Sequence, residues 1–164
     1  RKQEKAKRAE LRRRKEALKS KGDWIKDAQK AFNAYIRERD WGKPCISCGR
    51  LPNDRDLITG SRFDAGHYRS TGAMPSLRFE PLNCHRQCVQ CNRNYGGNVV
   101  EYRLRLKERI GDDALAWLEG PHRPWRYTKE WLKHIAKYYR AEARRLKRER
   151  QKQEDHQPCL HPSL

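Results

Sequence analysis

The chain contains no run of the ~18 apolar residues that a membrane-spanning helix needs, and its basic segments lack the wide apolar face of a helix that lies on a bilayer. A membrane is therefore not an expected partner. Apolar material is short throughout. Hydrophobic residues are 35% of the 164 and charged residues 37%, so a single globule of this length could not bury much, and a metal staple becomes useful. Acid is short as well: 21 Asp and Glu stand against 39 Lys and Arg, giving a formal charge of +18 and a pI near 10.0. A polyanion is the expected partner, and nucleic acid is the one that suits. No signal peptide or internal repeat is visible, and a chain opening on Arg1 is read as trimmed. Six cysteines are present, of which Cys84 and Cys159 fall outside any pairing motif, so a reducing compartment, the cytoplasm, is expected.

What is there is concentrated between Cys45 and Asn92. Cys45-Ile-Ser-Cys48 and Cys88-Val-Gln-Cys91 are two Cys-x-x-Cys pairs separated by 39 residues. They supply four thiolates, which close a tetrahedral structural zinc site and leave no open position for a substrate. Between and beside the pairs lie Asp64-Ala-Gly-His67, Asn83, His85 and Asn92. Those residue types are the ones that phosphodiester hydrolysis uses. Neutral imidazole, with an ordinary pKa of about 6.5, is poised to take a proton from water, which makes His67 the candidate general base. The charge that builds on the phosphate calls for a divalent cation such as Mg²⁺ or Mn²⁺, and Asp64 is the candidate anionic oxygen ligand. On a strand Asp64 and His67 point to opposite faces, so a bend at Ala65-Gly66 is required if both are to serve one metal. His85, on the same face as Asn83 if that stretch is extended, is an alternative ligand.

The flanks read as helix and charge. Residues 1–22 form a basic arm, helical or disordered, whose arginines either solubilise or neutralise phosphates. A core from 23 to 150 follows. Asp23 caps a helix that buries Ile25, Ala28, Phe32, Tyr35 and Ile36, with Trp24 and Trp41 as packing residues. Gly49 to Gly60 is a polar loop. Short strands are expected around Arg62 to Arg69 and Leu77 to Asn83, then a helical turn from Cys88 to Tyr95 ended by Gly96-Gly97. Asn98 and Glu101 form a capping box for a helix through Ile110, a short helix runs from Asp112 to Leu118, and Thr128 caps a long last helix. Leu132, Ile135, Ala136, Tyr139, Ala143 and Leu146 make one apolar stripe on it. That stripe needs cover, from the same subunit or from a second copy, with the balance slightly toward a homodimer. Residues 151–164 are expected to be an unstructured tail.

In their order, and tied to zinc knuckles, His67, Asn83 and Asn92 resemble the HNH nucleases. The resemblance implies a ββα-metal core with the His on the first strand, an Asn holding the imidazole or its loop, and a metal ligand, here Asn92, on the helix. Asp64-Ala-Gly-His-Tyr68, Leu77-Arg-Phe79, Asn83 to Asn92, Gly97-Asn98 and Tyr102-Arg103 resemble, more narrowly, the NinG family of phage proteins, from Trp24 to about Leu146. The departure from the common HNH pattern is Gly66, which stands directly before the His where an acid or His is usual. The fold expected is α+β and mainly helical, a small zinc-stapled HNH-like core with a two-stranded hairpin between long basic helices. The function the resemblance implies is a metal-dependent endonuclease of branched recombination intermediates, Holliday junctions and D-loops, in the host bacterial cytoplasm. The composition alone also fits a non-catalytic zinc-knuckle module that binds nucleic acid, or an RNA-binding assembly factor that uses the aromatics for stacking.

Overall fold

The computed structural model describes residues 1–53, Asp56 and 62–156. Helix α1, Lys2–Ala17, has no buried residue and is held by exposed Glu–Arg pairs such as Glu4–Arg8 and Glu10–Arg14. Helix α2, Lys21–Arg39, starts one turn earlier than the expected Asp23 cap. Ser20 is the N-cap, and Asp23 closes a capping box by accepting from the Ser20 N–H while its own N–H donates to Ser20 Oγ. Its buried face is Trp24, Ala28, Ala31, Phe32 and Ile36, with Ile25 and Tyr35 half-buried beside it.

The sheet is two antiparallel strands, β1 Phe63–His67 and β2 Cys84–Cys88. The second strand lies seven residues beyond the start expected at Leu77. In its place, two 3-10 turns, Pro75–Leu77 and Pro81–Asn83, carry the chain back to the hairpin. Phe63, Ala65 and His67 pair with Cys88, Arg86 and Cys84 on one face, and Asp64 and Gly66 with Gln87 and His85 on the other. Pairing is continuous over all five residues of each strand, so the bend at Ala65-Gly66 is absent. Past β2, Gln90–Asn94 make one wide helical turn.

Helices α3, Val99–Ile110, and α4, Asp112–Glu119, cover the Gly66 face, with Tyr102, Leu106, Leu115 and Leu118 buried against Ile46 and Leu77. Asn98 precedes α3 in the left-handed conformation and makes no capping bond, so the expected capping box does not form. Helix α5, Lys129–His156, covers the other side, its first turn capped by Thr128 Oγ1 accepting from the Trp131 N–H. Leu132, Ala136, Tyr139 and Ala143 are buried, and Leu132, Ala136 and Tyr139 share one core with α2, Ala65, Phe79 and Tyr127. Arg140 pairs with Asp27 and Arg150 with Glu38, so the two helices run in the same direction. Most of the stripe is thus covered within one chain, by α2. Helix α5 also continues through 151–156, where a tail was expected. The rest of that tail, and most of the Gly49–Gly60 loop, lie outside the described residues.

Candidate metal centre and the residues around the hairpin

The knuckles are built by short-range backbone bonds. The Cys45 N–H donates to the Arg50 carbonyl and the Gly49 N–H to the Cys45 carbonyl, a tight turn that needs the left-handed φ of +72° that Gly49 supplies. The Ile46 N–H donates to the Arg86 carbonyl, which ties this first knuckle to β2. The result places the sulfurs of Cys45, Cys48, Cys88 and Cys91 within 4.8 Å of one another. A tetrahedral zinc with ~2.3 Å bonds sets its sulfurs about 3.8 Å apart, and Cys48 Sγ and Cys88 Sγ are 3.8 Å apart. The Cys88 N–H donates to Cys45 Sγ and the Asn98 amide to Cys91 Sγ, contacts that favour thiolate sulfur. The four cysteines are therefore placed to hold a structural metal such as zinc. Cys84 is not among them. It is wholly buried in the α2 core, where burial pushes its thiol well above the ordinary value.

The other expected site residues fall into four separate places. Asp64 and Asn92 come together: the Asn92 amide donates to Asp64 Oδ2 at 2.9 Å. Arg93, which the sequence reading did not single out, joins them with two bonds of 2.8 Å to the same carboxylate. Burial alone would raise the Asp64 pKa, but the bonds from Arg93 and Asn92 outweigh it and hold the carboxyl below its ordinary value.

His67 lies on the opposite face of β1, against the Phe32 ring at 5.8 Å. Its Nε2 is 2.9 Å from the Arg78 carbonyl and so carries the proton, leaving Nδ1 as the basic nitrogen, 3.6 Å from Cys84 Sγ. Burial lowers its pKa, which keeps the ring neutral. In this arrangement His67 and Asp64 do not meet. Asn83 is fully buried and spends its side chain on the loop after β1, accepting from the Arg69 N–H and donating to the Arg69 and Leu77 carbonyls. His85 is buried on the Asp64 face and joined to the end of α2. Its Nδ1 accepts from Arg39 at 3.1 Å, Asp40 is 3.7 Å away, and Nε2 donates to the Leu82 carbonyl. These contacts fasten His85 to the end of α2 and to the turn before β2, away from Asp64. The sequence offered no signal for Asp40, which receives Arg39, Lys43 and the Arg86 N–H in a buried position.

Along α2 an open groove is lined by Lys26, Gln29, Lys30, Asn33, Arg37 and Arg78, the residue whose carbonyl holds His67. Of these, Lys26, Lys30 and Arg37 form no ion pair among the described residues.

A hairpin clamped between helices, in a strongly basic chain, with four cysteines placed to hold a structural metal, defines the class of protein. Sequence comparison gives its kinship. The chain belongs to the NinG family: the family described as "Bacteriophage Lambda NinG protein" matches residues 1–149. It is 48% identical over 137 residues to "Protein ninG" of Salmonella phage P22, a match that covers 84% of this chain and 64% of that protein. It is 47% identical over 140 residues to "Protein ninG" of Escherichia phage lambda, covering 85% and 65%. The chain thus spans a little under two thirds of the length of these relatives. No solved structure matches it. No helix among the described residues is long and apolar enough to cross a membrane.

Proposed function

We propose that this chain is the DNA-cutting part of a metal-dependent endonuclease with an HNH-like core, acting on branched recombination intermediates as its resemblance to the Rap recombination endonuclease of phage lambda implies. The observation that carries the reading is the Asp64–Asn92 contact. A strand carboxylate and a helical-turn amide meet at one point next to the second knuckle, in a chain that keeps the His, Asn, Asn order of such nucleases.

Asp64 and Asn92 would hold the catalytic Mg²⁺ or Mn²⁺. The oxygen donors suit a hard cation, and the Arg93 guanidinium already occupies the carboxylate as a stand-in positive charge. When bound, the metal offsets the charge that builds on the phosphate. His67 would supply the base: the Arg78 carbonyl holds its Nε2–H, which leaves Nδ1, now against Cys84 Sγ, as the nitrogen that would have to turn outward to take a proton from water. The groove of Lys26, Lys30, Arg37 and Arg78 along α2 holds the backbone phosphates without reading sequence. Zinc held by Cys45, Cys48, Cys88 and Cys91 would keep the hairpin in register with the turn that carries Asn92.

A second reading is a zinc-knuckle module that binds DNA and does not cut it. It is favoured by one observation, the placement of His67 and Asp64 on opposite faces of β1. Four-way-junction and linear duplex DNA incubated with the protein in Mg²⁺, Mn²⁺ or EDTA, with His67→Ala and Asp64→Ala alongside, separate the two. The nuclease reading expects metal-dependent nicking, faster on the junction and lost in both variants while zinc content stays intact. Binding with no cleavage in any metal would establish the second reading.

A further inference from the structure

The coil from Gly120 to Thr128 joins α4 to α5 and reads Gly-Pro-His-Arg-Pro-Trp-Arg-Tyr-Thr. Pro121 and Pro124 restrict its backbone. Its middle carries Trp125 in the open, 57% exposed, between Arg123 and Arg126, both exposed and neither in an ion pair among the described residues. An exposed indole needs no explanation by itself. What sets this one apart is its footing. Trp125 rests on Trp131 with ring centroids 6.5 Å apart, and Trp131 stacks on Tyr127 at 4.8 Å and 25°. Both of those rings touch buried Phe79, which packs edge-on against Phe32 in the core between α2 and α5. The Tyr127 hydroxyl donates to the Pro75 carbonyl at 2.6 Å, which locks the coil to the loop before β2. A second aromatic pair stands where the coil leaves α4: Trp117, 49% exposed, meets His122 edge to face at 4.8 Å, and His122 Nε2 donates to the Trp117 carbonyl.

We propose that this coil is a binding platform for unpaired bases of single-stranded DNA, with Trp125 as the stacking residue and Arg123 and Arg126 as its phosphate contacts. Stacking on a ring that is already immobilised loses little side-chain freedom, and every base has a face to offer, so such a platform holds unpaired strands without reading sequence. The flanking guanidiniums are the complement of a phosphate backbone. A base inside a duplex presents no free face, so the platform discriminates against linear duplex. The inference deepens the proposed function and rests on its DNA reading: the substrate feature it assigns to this coil is the unpaired base at a branch point.

The test is binding, in EDTA, of the full chain to fluorescein-labelled oligothymidylate, to oligouridylate and to a linear duplex, each followed by anisotropy over a salt series. Trp125→Ala is expected to weaken oligothymidylate binding about tenfold or more, to leave duplex binding within twofold and to leave the salt dependence unchanged. Trp125→Phe should recover most of the loss. Arg123→Ala with Arg126→Ala should weaken the single strand and flatten its salt dependence. An oligothymidylate affinity unchanged in Trp125→Ala would overturn the platform, as would an equal loss on duplex. Oligouridylate bound more tightly than oligothymidylate would overturn its assignment to DNA. Since no cleavage is read, a failure here is distinct from a failure of the nuclease reading, which the metal-dependent nicking of junctions decides.

Discussion

Gln87 occupies the space that a side chain at Gly66 would need. A Cβ built on Gly66 overlaps the Gln87 amide and lies 2.9 Å from its Cβ. The same amide donates to Ser47 Oγ and to the Gly97 carbonyl, so Gln87 ties the first knuckle to the chain that follows the second. The acid or His that usually precedes an HNH histidine has no room here. Gly66→Ala is expected to destabilise the protein by about 1–3 kcal/mol through overpacking, measured by urea denaturation of the metal-loaded protein. Gln87→Ala combined with Gly66→Ala should recover part of that loss, and a single variant as stable as the parent would show that the strand can shift.

The cluster geometry predicts which thiols matter to the metal. Purified protein should contain zinc at a ratio of ~1:1. Cys48→Ser or Cys91→Ser should lower that content and the melting temperature together. Cys84→Ala, although it removes a buried thiol beside His67, should keep full zinc. Elemental analysis after gel filtration decides the point, and full zinc in Cys91→Ser would refute the assignment.

Arg93 competes with any cation for Asp64. Arg93 is 64% exposed, so solvent screening limits what its two charge-assisted bonds contribute. Arg93→Ala should tighten Mn²⁺ binding roughly threefold to tenfold, and Asp64→Ala should abolish it. Titration followed by Mn²⁺ electron paramagnetic resonance reads both, and Arg93→Ala with unchanged affinity would mean that the metal, if any, sits elsewhere.

Burial lowers the pKa of both His67 and His85 below the ordinary 6.5. As pH falls through about 6.5, the unfolded chain takes up protons that these folded rings do not, so stability must decrease toward the folded values. Proton NMR titration should give both rings midpoints below that of a free imidazole, with the loss of denaturation free energy starting in the same window. A midpoint at or above 6.5 for either ring would contradict the packing described.

Asp40 has the opposite chemistry and the same sign. Burial would raise its pKa, but His85 and the Arg39 guanidinium beside it hold it far below the carboxylate range. Its contribution is therefore present above about pH 3.9 and is lost as pH falls below that value. Asp40→Ala leaves Arg39 without its partner and the end of α2 unanchored, and should cost about 3–5 kcal/mol in urea denaturation at neutral pH. A cost under about 1 kcal/mol would mean that Asp40 behaves as a surface charge.

The helices were legible because burial on one face leaves a 3.6-residue period: Ala28, Phe32 and Ile36 in α2, and Leu132, Ala136, Tyr139 and Ala143 in α5, stand where that period puts them. The cysteine cluster was legible from spacing. The second strand was not. Its residues Cys84-His-Arg-Gln-Cys88 are polar on both faces and yet all buried, because helices cover both sides, so no alternation survives. Leu77, at the end of a 3-10 turn, and Phe79, in the turn that follows it, alternate in its stead. Pro81 was the available warning, since a paired strand has little room for proline. Asp40, Arg93 and Tyr102, whose hydroxyl donates to the Gly66 carbonyl, act through contacts between residues far apart in the chain. Local pattern does not reach that far.

With a metal in the four-cysteine cluster, residues 49–87 become a closed loop, anchored at Cys45 and Cys48 on one side and Cys88 and Cys91 on the other. A single backbone cut anywhere in that loop would leave two fragments still fastened to each other through sulfur and metal. The nicked protein would migrate as one species under native conditions and separate into two on chelation. With the ion bound, connectivity through the middle of this molecule would belong as much to the metal as to the peptide chain.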